Sequence, residues 1–201
     1  MSTLKNYLNH QFSGFENLLR LEKKEIIKSI YKSIIWILMA FLVACLSKFE
    51  SNYLPDTYLR NAVIEGIGPH FWNIVVLGGL FLIGLIFLFP NIIFFQESAC
   101  NTLAGAHISG LISLGLLIGE LTFTFPNLFS IFETWRIILI FIILVFSVFL
   151  VYGLVYSTYY MSQLLISKEI IERINNLDFF LRFIGFIFFS IIPLVFFLLE
   201  N

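Results

Sequence analysis

Phe71–Phe95 reads FWNIVVLGGLFLIGLIFLFPNIIFF, 25 residues without one charged side chain. A helix rises ~1.5 Å per residue, so a run of this length outreaches the ~30 Å hydrocarbon core of a bilayer. Uncharged apolar runs of the same kind follow at 137–160 and 183–199. Composition agrees: 59% of the 201 residues are hydrophobic, 25 are Phe, and 12% are charged. A soluble domain carries about twice that charge. The polar pieces, at 1–32, 50–70 and 161–177, are each too short to bury a core of their own. The expected class is an all-α integral membrane protein, a bundle of four to five transmembrane helices with cytoplasmic helical extensions. An amphipathic cytoplasmic segment fills 1–32, and the bundle fills 33–199, with spans near 33–47, 71–95, 98–119, 137–160 and 179–199. Membrane lipids are thus the first expected partner.

The count turns on Ser98–Gly119 (SACNTLAGAHISGLISLGLLIG), which is uncharged and long enough to cross but rich in small residues. Lys and Arg favour the cytoplasmic side. Lys5, Arg20, Lys23, Lys24, Lys28 and Lys32 precede the first span, which puts the N-terminus in the cytoplasm. If 98–119 crosses, Lys168, Arg173 and Arg182 return to that side, and nine of the twelve basic residues are cytoplasmic. If it does not, that loop lies outside. Five crossings fit the charges better; a re-entrant hairpin buried among the other helices is the alternative.

The same segment holds Ala106-x-x-x-Gly110 and Gly115-x-x-x-Gly119. Small residues let helices approach closely, and in lipid close packing holds helices together. This helix is expected at the centre of the bundle, with Gly110, Gly115 and Gly119 packing either within the chain or against another subunit. Pro90 and Pro193 fall inside expected spans, where a missing N–H and a bulky ring kink a helix. Trp36, Trp72 and Trp135 lie near span ends, where indoles anchor at the interface.

Residues 4–30 place apolar side chains on one face against lysines, the pattern of a helix that lies on a membrane or docks a partner. Residues 161–177 (MSQLLISKEIIERINNL) are expected to carry the fourth span on into the cytoplasm as a helix, with Asp178 capping the next one. Lys168, Glu169, Glu172 and Arg173 there are candidates for docking a cytosolic protein. The two cysteines, Cys45 and Cys100, read as buried small hydrophobes.

Catalytic chemistry finds no footing. None of His10, His70 and His107 has a second ligand at helical spacing, so no metal site is expected, and no cofactor. No phosphate loop, nucleophile elbow or zinc-protease signature is present. A net charge of −1 argues against direct nucleic-acid binding. His107 sits at membrane depth, where a polar group is costly and marks either a helix–helix hydrogen bond or a functional path. Glu97 and Glu120 bracket its span and are candidates for a pore mouth.

The basic start KKEIIKSIYKSIIW at 23–36, the spans behind it, the small soluble mass and the Phe/Ile/Asn-rich composition resemble the membrane subunits of bacterial antiphage defence operons, among them the KwaA family of the Kiwa system. The resemblance implies a homotetramer that senses phage attack at the bacterial inner membrane. It also implies a cytosolic partner of the KwaB type that acts on phage DNA. No residue roles carry over. The expected function is a non-enzymatic membrane sensor and scaffold that oligomerises and recruits a cytosolic effector. The alternative is an oligomeric pore that depolarises the cell, with Glu97, His107 and Glu120 along its path.

Overall fold

The computed structural model describes Lys23–Glu50 and residues 69–200, together with Asn6, Tyr7 and Gln11. Most of the expected N-terminal amphipathic helix and of the 50–70 loop lie outside the described residues. Among those described there is no strand. The elements are α1 (Lys23–Glu50), α2 (Pro69–Leu88), α3 (Ile93–Thr124), a 3-10 segment (Phe125–Ser130), α4 (Thr134–Ile166), α5 (Lys168–Asn176), α6 (Phe179–Phe186), a π-helical turn (Ile187–Ile191) and α7 (Ile192–Glu200). Three helices are long and apolar enough to cross a membrane: those containing Lys24–Leu46, Ile93–Ser130 and Thr134–Ile166. A fourth is added if α5 and α6–α7, bent by 117° at their junction, count as one span, and the apolar part of α2, Trp72–Leu88, is shorter.

The stretch 71–95 is not one helix. α2 stops at Leu88, and Phe89–Ile92 form a turn before α3. Pro90 is the cause: it has no N–H to give to the carbonyl four residues back, and its ring clashes with that carbonyl and forces Phe89 out of helical geometry. Gln96 Nε2 then donates to the Pro90 carbonyl at 2.7 Å and ties the turn to the first coil of α3. A proline expected to kink a span ends it instead. Pro193 acts differently. Its ring cannot accept a normal turn before it, and the helix widens there: the Ile192 N–H donates to the Ile187 carbonyl, five residues back.

Other boundaries also shift. The first helix begins at Lys23, ten residues before the expected span at 33–47, and its basic first turns lengthen it. The helix over 134–166 does not continue through 177. Ser167 adopts φ −73° and ψ 113°, and α5 starts afresh when the Ile170 N–H donates to the Ser167 carbonyl at 3.2 Å. Asp178 occupies the N-cap position of α6 but makes no side-chain cap bond.

Two compact units emerge. One comprises Met1–Ile27, Val75–Ala104 and Tyr160–Asn201; the other comprises Lys28–Ile74 and Gly105–Tyr159. The first has a core of large side chains: Ile83 and Ile86 from α2, Ala99 and Leu103 from α3, Leu165 from α4, and Ile170 and Ile174 from α5. Phe87 stacks on Phe189 with centroids 5.6 Å apart, and Ser190 Oγ donates to the Phe81 carbonyl at 3.5 Å.

The second unit is built on small residues. Ala40 and Ala44 of α1 are buried with Leu116 of α3. A Cβ added at Gly115 would strike the Ile37 carbonyl, and one at Gly119 would strike the Ala44 methyl. The backbone of α3 therefore lies against α1 itself, a contact that requires glycine. At Gly110 an added Cβ would come within 2.6 Å of the Trp72 ring nitrogen and 2.7 Å of Val155. Within this unit α3 touches α1, the start of α2, and α4. Burial follows: 29% of the apolar stretch of α3 is buried, against 6% of that of α4.

Candidate functional site

The charged candidates cluster at the corner between α5 and α6. α5 buries Ile170 and Ile174 and turns Lys168, Glu169 and Glu172 outward, while Arg173 is half-buried. Alternation at helical spacing produces this: the isoleucines recur every four residues and the charges fall between them. Leu177, also buried, seals the corner.

Tyr7 meets the corner from the other end of the chain. Its hydroxyl donates to the Asp178 carboxylate, a contact 171 residues apart in sequence. This bond occupies the carboxylate expected to cap α6. It also raises the ionisation of Tyr7 above the ordinary tyrosine value, first because the phenol proton is held in the hydrogen bond, then through desolvation and the negative charge of Asp178. Tyr7 and the α5–α6 corner are thus neighbours within the first unit.

His107 lies in the second unit, 7% exposed. Its Nδ1 is 3.0 Å from the Val155 carbonyl of α4. A carbonyl only accepts, so Nδ1 carries the hydrogen. The imidazole packs against Tyr159 at 5.1 Å and Tyr156 at 6.4 Å, and Tyr156 stacks on Tyr152 at 6.1 Å. The Val155 carbonyl also accepts from Thr158 Oγ1 at 2.7 Å. One residue before His107, the Ala106 carbonyl accepts from the Trp72 indole N–H at 2.9 Å. Trp72 thus packs against α3, while the exposed Trp135 hydrogen-bonds Glu133 at 2.7 Å.

His107 was legible as a lone polar residue in an apolar run. The tyrosine row was missed, although Tyr152, Tyr156 and Tyr159 fall at i, i+4 and i+7, one face of a helix. The remaining candidates are separate. Glu97 is exposed in the early turns of α3, and Glu120 is half-buried near the end of the same helix. Among the described residues no group of three His, Cys, Asp or Glu side chains is placed to hold a metal ion. The chemistry on view is hydrogen bonding between helices and a charged surface.

Comparisons with protein-family models, with curated proteins and with solved structures find no match to this chain.

Proposed function

We propose that this chain is a non-enzymatic scaffold of the bacterial inner membrane that oligomerises and holds a cytosolic effector at a docking face made of the N-terminal segment and the α5–α6 corner. The hydrogen bond from Tyr7 to Asp178 carries this reading. A hydrogen bond cannot bridge opposite faces of a bilayer, so the segment before α1 and the corner after α4 share one side. That requires an even number of crossings between them, and α1 to α4 supply it. The apolar part of α2, Trp72–Leu88, is shorter than the other spans but lies at the short end of the ~17–25 residues that cross a bilayer. With α6–α7 the crossings number five, and the basic residues put the shared side in the cytoplasm.

The outward charges of α5 then have a use that neither core nor lipid supplies. Its apolar edge is spent on the first unit's core, and Lys168, Glu169 and Glu172 are free of both. The resemblance to KwaA-type subunits agrees in kind: a tetrameric sensor in the membrane and a soluble partner that performs the defence chemistry. His107 is engaged by Val155 and the tyrosines, so the scaffold asks nothing catalytic of it.

The test is a mild-detergent pull-down of the tagged protein expressed with its genomic neighbours, read by native mass spectrometry. A defined oligomer carrying a stoichiometric soluble partner is expected, and the triple charge reversal K168E/E169K/E172K should release the partner and leave the oligomer intact. An oligomer with no soluble partner, or a partner indifferent to the reversal, overturns the proposal. Labelling of a cysteine at Ser167 from the outside alone would overturn the five-crossing topology.

A further inference from the structure

Asp178 and Arg182 stand four residues apart at the start of α6, within the first unit. At that spacing a carboxylate and a guanidinium pair along a helix. Here they do not. The Asp178 carboxylate accepts from the Tyr7 hydroxyl instead, and the two positions are joined through the backbone, where the Arg182 N–H donates to the Asp178 carbonyl at 3.0 Å. The Arg182 Nε is buried without a hydrogen-bond partner. No carboxylate among the described residues forms an ion pair with its guanidinium. Arg136, in the first turn of α4, shows the contrast: it lies 3.8 Å from Glu133 and 5.2 Å over the Trp135 ring. Arg182 is a cation whose own counter-ion is engaged elsewhere.

Its surroundings select what takes that counter-ion's place. Phe179 and Phe180 are 67% and 68% exposed, and Phe183 and Ile184 are 43% and 45% exposed. Arg182 therefore projects from an apolar surface on the first turns of the helix that leads into the last span. Phe179 and Phe183 stack on that surface, with centroids 6.4 Å apart. A helical side chain leans toward the N-terminus of its helix, which carries the guanidinium back toward the α5–α6 corner and the water-facing end of the span. A cation there, with lipid-facing rings beside it, stands at the level of the phosphate groups. A free phosphate or an acidic peptide would bring the charge and leave the rings uncovered. A phospholipid brings both: a phosphate for the planar guanidinium fork and acyl chains for the rings. A headgroup without an ammonium of its own leaves the phosphate charge to Arg182, which favours phosphatidylglycerol over phosphatidylethanolamine.

We propose that Arg182 is the headgroup contact of one anionic phospholipid, with the guanidinium on the phosphate and the acyl chains along Phe179, Phe180 and Phe183. The site rests on α6–α7 entering the membrane and is independent of the scaffold reading; a chain that recruits no partner would still hold the lipid. Tyr7 supports the site from outside it, because by engaging Asp178 it keeps that carboxylate from pairing with Arg182.

The test reconstitutes the full chain in vesicles of phosphatidylethanolamine and phosphatidylglycerol, extracts it in mild detergent and reads retained lipid by native mass spectrometry. One phosphatidylglycerol per chain is expected to survive delipidation. R182Q should cut that occupancy roughly tenfold, about 1.4 kcal/mol in binding, while R136Q, whose arginine is already paired, should leave it unchanged. Y7F should lower it severalfold, because it releases the carboxylate four residues before Arg182. Equal retention in R182Q, equal losses in R182Q and R136Q, no preference for phosphatidylglycerol, or unchanged or higher retention in Y7F overturns the proposal. So does displacement of the lipid by inorganic phosphate, since the site would then read a free anion. Should R182Q fail to fold, solid-state NMR of the wild type in the same bilayers decides. Dephasing of the Arg182 guanidinium carbon by lipid phosphorus above that of Arg136 supports the site, and equal or weaker dephasing overturns it.

Discussion

The two compact units share close glycine contacts, at Gly84 and Gly185 in the first and at Gly115 and Gly119 in the second, but differ in what surrounds them. In the unit with Val75–Ala104 and Tyr160–Asn201, large aliphatic side chains interlock, and Ile86 and Leu103 are wholly buried. In the unit with Lys28–Ile74 and Gly105–Tyr159, helices close by removing side chains: Gly115 and Gly119 of α3 face Ala40 and Ala44 of α1. The difference shows two answers to one problem. Lipid tails are as apolar as leucine, so burial alone does not draw helices together, and contact area must come from fit. Interlocked large residues obtain it through many dispersion contacts; glycine and alanine obtain it through backbone proximity.

Substitutions that violate each mode separate the two. G115L should be the most damaging, because the added side chain meets the fixed Ile37 carbonyl and α1 must leave. A loss of about 3 kcal/mol is expected in a reversible unfolding assay in mixed micelles; a loss below that of I86A would erase the contrast. I86A removes a buried side chain from the other unit. Its cost should be about 2 kcal/mol, toward the low end for such truncations, because the transfer from water that adds to the loss in soluble proteins is mostly absent in lipid.

H107A comes next. It deletes one interhelical hydrogen bond and two ring contacts, while the Val155 carbonyl keeps its bond from Thr158. The expected cost is about 1 kcal/mol, in the same assay. A cost equal to that of G115L would make the histidine, and not the small residues, the main tie of the second unit.

The smallest stability effect is expected at Tyr7, which lies at the surface. Spin labels at Asn6 and Asn176 should report a short distance at neutral pH that lengthens in Y7F. The pH dependence has a definite sign. Tyr7 ionises at a higher pH beside Asp178 than in the unfolded chain, so its contribution is fully present below the ordinary tyrosine value near 10. It is lost as pH rises through the elevated folded value. Distances that do not change up to strongly alkaline pH would show that the hydrogen bond does not hold the segment.

Much of the candidate site was visible in the residues, for local reasons. The alternation of Ile170 and Ile174 with Lys168, Glu169 and Glu172 marked an amphipathic helix with a charged face. The spacing of Gly115 and Gly119 marked a close-packing face, but nothing in it named Ala40 and Ala44 as the other side, since that pairing depends on the register of helices far apart in sequence. The bond from Tyr7 to Asp178 was equally illegible: Asp178 looked like a cap for its own helix, and only the return of the chain made it an acceptor for another segment.

Apolar run length, the spacing of small residues and the placement of lysine and arginine determined by themselves that this is an all-helical chain of the membrane type with a charged corner, because each is a property of a short window summed along the chain. Where helices stop inside an apolar run was decided in three dimensions. Pro90 ends one helix and Pro193 only widens another: at the first the chain turns and Gln96 holds the Pro90 carbonyl, and at the second the backbone bonds five residues back. Which faces touch, and where they leave a space, belongs to the packing of helices against one another, a quantity no window of sequence contains.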